Sequence, residues 1–141
     1  MSTHEKFEAD LWLLIKPAPD VRNQWVGHCL DLDIVTQGNS IAHAFEMLRE
    51  AVGMAVCYDL EAGRNPHDRK RAPPESWAEW ERVLKNGHRV PFKDFVREKN
   101  ITVVIPVHFI AKRRGLKIEK RPEAWMIDAL SKGANSFHAG A

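Results

Sequence analysis

Cysteine is scarce in this chain, and the spacings that turn histidines into a metal centre are missing. Cys29 and Cys57 are the only cysteines among 141 residues. They are too few and too far apart for a disulfide framework, so both are expected as free thiols in a reducing compartment. The seven histidines fall at positions 4, 28, 43, 67, 88, 108 and 138. No two are four apart, as one helix face would require, and no Cys-x-x-Cys accompanies them. His28 and Cys29 are neighbours in an extended stretch and must point to opposite faces. No metal site and no cofactor is therefore expected. A glycine-rich phosphate loop, a Gly-x-Ser-x-Gly elbow and a dinucleotide fingerprint are also lacking, which removes the commonest nucleotide-binding and hydrolase signatures. No apolar run approaches the roughly 18 residues of a membrane span. Acidic residues precede the first short apolar run and no small-residue cleavage site follows it, which predicts a cytoplasmic protein without a secretory signal.

Charge of one sign is lacking too. The net charge of +2 is too small to attract nucleic acid by bulk field. The basic residues are clustered, however. Lys112, Arg113, Arg114, Lys117, Lys120 and Arg121 are accompanied only by Glu119, and Arg64, Arg69, Lys70 and Arg71 only by Asp68. Solvated loops explain such runs, and phosphate contact is the competing reading.

What is present is ordinary globular material: 44% hydrophobic and 28% charged residues, enough for one core and too little chain for two full domains. Residues 7–15 alternate, with Phe7, Ala9, Leu11, Leu13 and Ile15 on one face; this predicts a strand. A turn through Pro17 and Pro19 leads to a second strand over 24–30, with Trp25, Gly27 and Cys29 on one side and Val26, His28 and Leu30 on the other. Asp31, Leu32 and Asp33 form a tight connection to a third strand over 34–37. Gly38 ends it, where a positive φ would cost a glycine nothing.

Asn39 or Ser40 can cap the helix that follows. Ile41, Ala44, Phe45, Leu48, Val52, Ala55 and Val56 fall on one helical stripe, so the helix should run to about residue 61, with Gly63 as its stop. A second stripe of Met47, Ala51, Met54 and Tyr58 also needs cover. The loop 64–74 precedes Ser76 and Glu79, spaced as a capping box, and a second helix bearing Trp77, Trp80, Val83 and Leu84. Trp77 and Trp80 are expected to cover the stripe of Met47, Met54 and Tyr58, because Met and aromatic side chains pack adaptably; a second subunit is the other cover for that stripe. A last clear strand spans 100–110, and Pro106 predicts that it lies at a sheet edge or carries a bulge. Residues 122–132 predict a short terminal helix, and 134–141 a frayed tail.

The acids Asp10, Asp31, Asp33, Glu46 and Glu50 raise the question of a divalent-ion nuclease. Glu46 and Glu50 lie opposite the Ile41, Phe45 and Leu48 stripe and so point away from the sheet carrying the aspartates. No catalytic residue is assigned, and the chain is expected not to be an enzyme. Cys29 shares the Trp25 face and reads as a small buried residue.

The order strand, strand, strand, helix, strand, joined to the text WVGHCLDLDIVTQGNSIAHAFEMLREAV over Trp25 to Val52, resembles the HicB family of antitoxins. Members typically carry an apolar strand, a short acidic turn, a strand, then Thr-x-Gly-Asp-Ser/Thr and a helix opening with Glu-Ala. Here Thr36, Gly38, Ser40 and Ala44 match, with Asn39 in place of the aspartate and His43 in place of the glutamate. The resemblance implies a partial RNase H-like fold without nuclease carboxylates. It also implies neutralisation of HicA, a small RNA-cleaving toxin, by covering its active site. Many members add a ribbon-helix-helix or helix-turn-helix domain that binds their own promoter; after residue 110 this chain has neither pattern.

The expectation is thus an α+β protein: a small antiparallel sheet of β-β-β-α-β order with one long helix packed on it, an inserted Trp-bearing helix and a short C-terminal helix. Residues 1–111 form the HicB-like domain with an insertion at 64–98, and 112–141 form a basic loop, helix and tail. Toxin contact is placed at His28, Asp31, Asp33 and the adjoining strand edge, since opposite charge speeds encounter with a basic toxin. A homo-oligomer, dimer or tetramer, is expected from the open edge and the spare stripe. The alternative is a nucleic-acid-binding module using Lys112, Arg113, Arg114 and Lys117.

Overall fold

A computed structural model describes residues 6–87, 89–90, 101–112, 118–121 and 126–127. Strand β1 (Lys6–Pro17) is followed by β2 (Trp25–Cys29), β3 (Ile34–Gly38), helix α1 (Ile41–Glu61), a single 3-10 turn at Pro66–Asp68 and helix α2 (Pro74–Asn86). Short β4 (Arg89–Val90), long β5 (Val103–Lys112), and short β6 (Ile118–Arg121) and β7 (Met126–Ile127) complete the sheet. The order is β3-β2-β1-β5, with β7 and then β4 beyond β5, and β6 also on β5. The described pairings are all antiparallel. The protein is α+β, and the β-β-β-α-β order expected from the sequence is the frame of the molecule.

Alternation on β1 decides which side chains meet which helix. Phe7, Leu11, Leu13 and Ile15 turn to one face, where the register sets them beside Ala111, Val107, Ile105 and Val103 of β5. α1 lies over that face with Ile41, Ala44, Phe45, Leu48, Val52, Val56 and Leu60, and together these residues form the larger core. The helix comes close because β2 and β3 each carry a glycine beneath it. A Cβ on Gly38 would press on the backbone nitrogen and Cα of Ala44, the latter at 2.6 Å, and one on Gly27 would sit 3.3 Å from a Leu48 methyl. Gly38 is therefore required by helix contact, not by a positive φ, which it does not have. Ser40 is the N-cap: its Oγ accepts from the His43 amide at 3.0 Å, while His43 Nδ1 accepts from the Asn39 amide at 3.0 Å. The histidine thus reaches back as a capping-box glutamate does, but to the amide of Asn39, one residue before the cap. At the far end Gly63 has φ 78, the left-handed conformation that closes a helix without steric cost.

The even-numbered side of β1 meets α2. Leu14, Leu30, Val104, Ala72 and Val83 are buried there with Trp12, Trp77, Trp80 and Leu84 around them. Trp12 and Trp77 each meet Trp80 edge-on at 5.3 Å between ring centroids. This corrects the expected packing of Trp77 and Trp80 on the spare stripe of α1. The tryptophans lie on the opposite face of the sheet, and Met54 and Tyr58 stay 72% and 65% exposed. The reason is that β1 offers Trp12 and Leu14 on its second side, apolar surface that needs a helix of its own.

Three smaller expectations also change. α2 begins at Pro74 with no side-chain cap, since proline presets the helical φ at the first position; Glu79 instead accepts from Lys16 Nζ at 2.8 Å. β5 pairs on both sides, with β1 and with β6 and β7, so it is not an edge; Pro106 sits between the β7 pairing at Val104 and the β6 pairing that begins at His108. Ile118–Arg121, within the expected basic loop, is a strand, and so is Met126–Ile127, within the expected terminal helix. Pairing with the outer edge of β5 wins over local pattern there. The rest of that terminal helix and the tail lie outside the described residues.

Candidate functional site

The β2–β3 turn is where acid, histidine and backbone strain coincide. Leu30 and Leu32 are both buried, one toward each core, and this anchors the turn from two sides. Between and after them, the two aspartates have different fates. Asp31 is half-buried, its side chain 22% exposed. Its Oδ2 accepts from the Trp12 amide at 2.6 Å and its Oδ1 lies 3.6 Å from the Arg71 guanidinium. Burial pushes the Asp31 carboxyl above its ordinary range, against the opposing pull of that amide and of Arg71. Arg71 is in turn stacked 4.3 Å over the Trp77 ring. Asp31 is thus a structural acceptor that ties β1, the turn and the segment before α2 together, and it is not the free acidic contact expected of it. Backbone bonds reinforce the tie: the Leu30 amide donates to the Trp12 carbonyl at 2.9 Å, and the Ala72 amide to the Leu30 carbonyl at 2.8 Å.

Asp33 is exposed, as expected. It has φ 54, a left-handed conformation that aspartate tolerates better than most residues. Its Oδ1 lies 2.7 Å from His28 Nε2, so the three expected contact residues separate into an exposed Asp33, a His28 bonded to it with its side chain only 14% exposed, and a committed Asp31. Cys29, next to His28, faces the other core, and burial pushes its thiol up to about 12; it is not a nucleophile at neutral pH.

A second polar cluster was not legible in the sequence. On the open part of the α2 side, His108 Nδ1 lies 2.8 Å from an Asp10 oxygen and its Nε2 2.8 Å from a Glu8 oxygen. The hydrogen bonds that His108 makes to Asp10 and then Glu8 raise its pKa, and the bonds that Glu8 accepts from His108 and then Lys6 lower that of Glu8. Period two places Glu8 and Asp10 on one face; only the register, with His108 opposite Asp10, shows which histidine they meet. Among the described residues no group of three histidine, cysteine or acidic side chains is arranged to hold a metal ion.

The basic loop after α1 is paired with acids of its own chain, although Arg64, Lys70 and Arg71 stay exposed. Asp59, buried on α1, receives Arg69 at 2.7 Å and Arg64 at 3.3 Å, and Arg71 faces Asp31. Three of the four basic residues at 64–71 are therefore committed to acids of the same chain, which weakens phosphate contact as their purpose. Of the alternative nucleic-acid set, Lys112 is exposed at the end of β5, and Arg113, Arg114 and Lys117 lie outside the described residues. Glu46 and Glu50 are exposed on α1, away from the sheet as expected. No described helix is long and apolar enough to cross a membrane.

Comparison with protein families, with characterised proteins and with solved structures finds no match to this chain.

Proposed function

We propose that this protein is a HicB-like antitoxin or an orphan relative: a cytoplasmic, non-enzymatic protein that binds a small HicA-type RNA-cleaving toxin. The observation that carries the reading is how the residues of the resemblance behave together. Gly38 admits Ala44, Ser40 and His43 close the helix start, and the acidic turn before them is anchored in two cores by Leu30 and Leu32 while Asp33 is exposed. The text that resembles the family thus folds as one unit with an acidic presenting end. Asp33 and His28 are the proposed toxin contacts, and Asp31 sets the turn in place. An anchored, exposed acidic turn suits a basic partner, because little conformational freedom is lost on docking and opposite charge raises the encounter rate.

The test is co-expression with HicA-type toxins, scored by rescue of growth and by co-purification. Capture by the native chain, lost with Asp33→Lys and retained with Asp31→Asn, supports the reading. Failure to capture any toxin of this type removes it; capture unchanged by Asp33→Lys moves the site elsewhere.

A further inference from the structure

We propose that the outer edge of β3 pairs antiparallel with β3 of a second copy of this chain, centred on Thr36, to join two sheets into one. Among the described residues β3 ends the sheet, whereas the outer side of β5 is covered by β6 and β7. An unpaired edge is ordinarily guarded by lysine, proline, a bulge or an inward charge. β3, with the sequence Ile34-Val-Thr-Gln-Gly38, has none of these, and its register with β2 runs unbroken from Cys29↔Ile34 to Trp25↔Gly38. Val35 is 57% exposed, on the face that α2 leaves open.

The strand is complementary to itself. Antiparallel pairing about Thr36 sets Val35 of each copy opposite Gln37 of the other and Ile34 opposite Gly38. The two Val35 side chains become diagonal neighbours on one face, within reach of contact. Asp33 comes opposite Asn39, so no like charges meet. A one-residue slip would break this match and turn the apolar set to the wrong side. Five residues a side make a contact smaller than a standard interface, so the dimer should be weak and concentration-dependent. Its consequence is geometric: the two acidic turns would stand six residues apart along the ribbon, about 20 Å, at opposite ends of the shared edge. This inference does not depend on toxin capture.

Sedimentation of the full chain over rising concentration tests it. The expected result is a shift from 16.1 kDa toward twice that mass. Val35→Glu, at an exposed side chain, should weaken association about fivefold through the two carboxylates set diagonally across the seam and the lost valine contact, without altering the circular dichroism. Adding Gln37→Lys should restore association, because each new ammonium then lies opposite the other copy's new carboxylate. Met54→Lys, on the exposed stripe of α1, should change nothing. A chain that stays monomeric up to about 1 mM, association abolished by Met54→Lys, or no rescue by the double variant would each overturn the proposal.

Discussion

The two faces of the sheet are built on different terms. On the α1 side, β1 and β5 present aliphatic and aromatic residues along almost their whole length, and the helix answers with an unbroken stripe. On the α2 side, the apolar cluster is smaller: Leu14, Leu30, Ala72, Val83 and Val104, with Trp12, Leu84 and the two tryptophans of α2 around them. Around it lie polar groups in pairs: Asp31 with Arg71, His28 with Asp33, Glu8 and Asp10 with His108. One face is a core and the other is a small core with a polar margin. In the margin Glu8, Asp10 and Asp33 stay open to solvent, whereas Asp31 and His28 are mostly covered.

Substitutions can sharpen or break that contrast. The largest effect is expected at Leu48→Ala, in the middle of the α1 stripe, which should cost about 2–5 kcal/mol in urea unfolding. Asp59→Ala, also beneath the α1 side, takes the buried carboxylate from Arg64 and Arg69, whose own side chains reach solvent and can rehydrate, so it should cost less, about 1–3 kcal/mol. Trp80→Ala, half-buried on the α2 side, should cost less than Leu48→Ala despite removing a larger side chain; an equal or greater loss would erase the distinction between the faces. Gly38→Ala should cost about 1–3 kcal/mol by pushing α1 off the sheet, and a neutral result would show that the helix is not seated so closely.

The smallest effect is in the polar margin and depends on pH. His108 is raised by its acids, so its contribution is complete below its ordinary value of 6.5 and is lost as pH rises through the higher folded value. Glu8 is lowered by His108, so its contribution is complete above its ordinary value of 4.5 and is lost as pH falls through the lower folded value. The cluster therefore stabilises most between about 4.5 and 6.5. The urea midpoint should be higher at pH 5.5 than at pH 8.5 by an amount that His108→Ala removes. An undiminished difference in that variant would place the pH dependence elsewhere.

How far each element could be read from sequence follows from the range of the interaction that fixes it. The strands β1 to β3, α1 and a cap at Asn39 or Ser40 depend on alternation, on a three-to-four periodicity and on contacts within a few residues, and all were legible; the structure selects Ser40. The placement of α2 was not. Its tryptophans match the Met54 and Tyr58 stripe as well as they match Trp12, and only the position of the chain after Ala72 decides between them. β6 and β7 were read as loop and helix because four and two residues carry too little pattern to announce a strand.

The candidate site shows the same division. The exposure of Asp33 follows from a turn between two strands, but the commitment of Asp31 comes from Arg71, forty residues away in sequence, and from the amide of Trp12 on a neighbouring strand.

By itself the amino-acid sequence determined the α+β class, the β-β-β-α-β order and the apolar side of the long strand β1, because those depend on local periodicity. Only the tertiary structure decided which helix covers which face, which aspartate is free, and that Glu8, Asp10 and His108 meet. Register and packing between distant segments are collective properties of the folded chain, and many pairings satisfy the same local pattern until the whole sheet selects one.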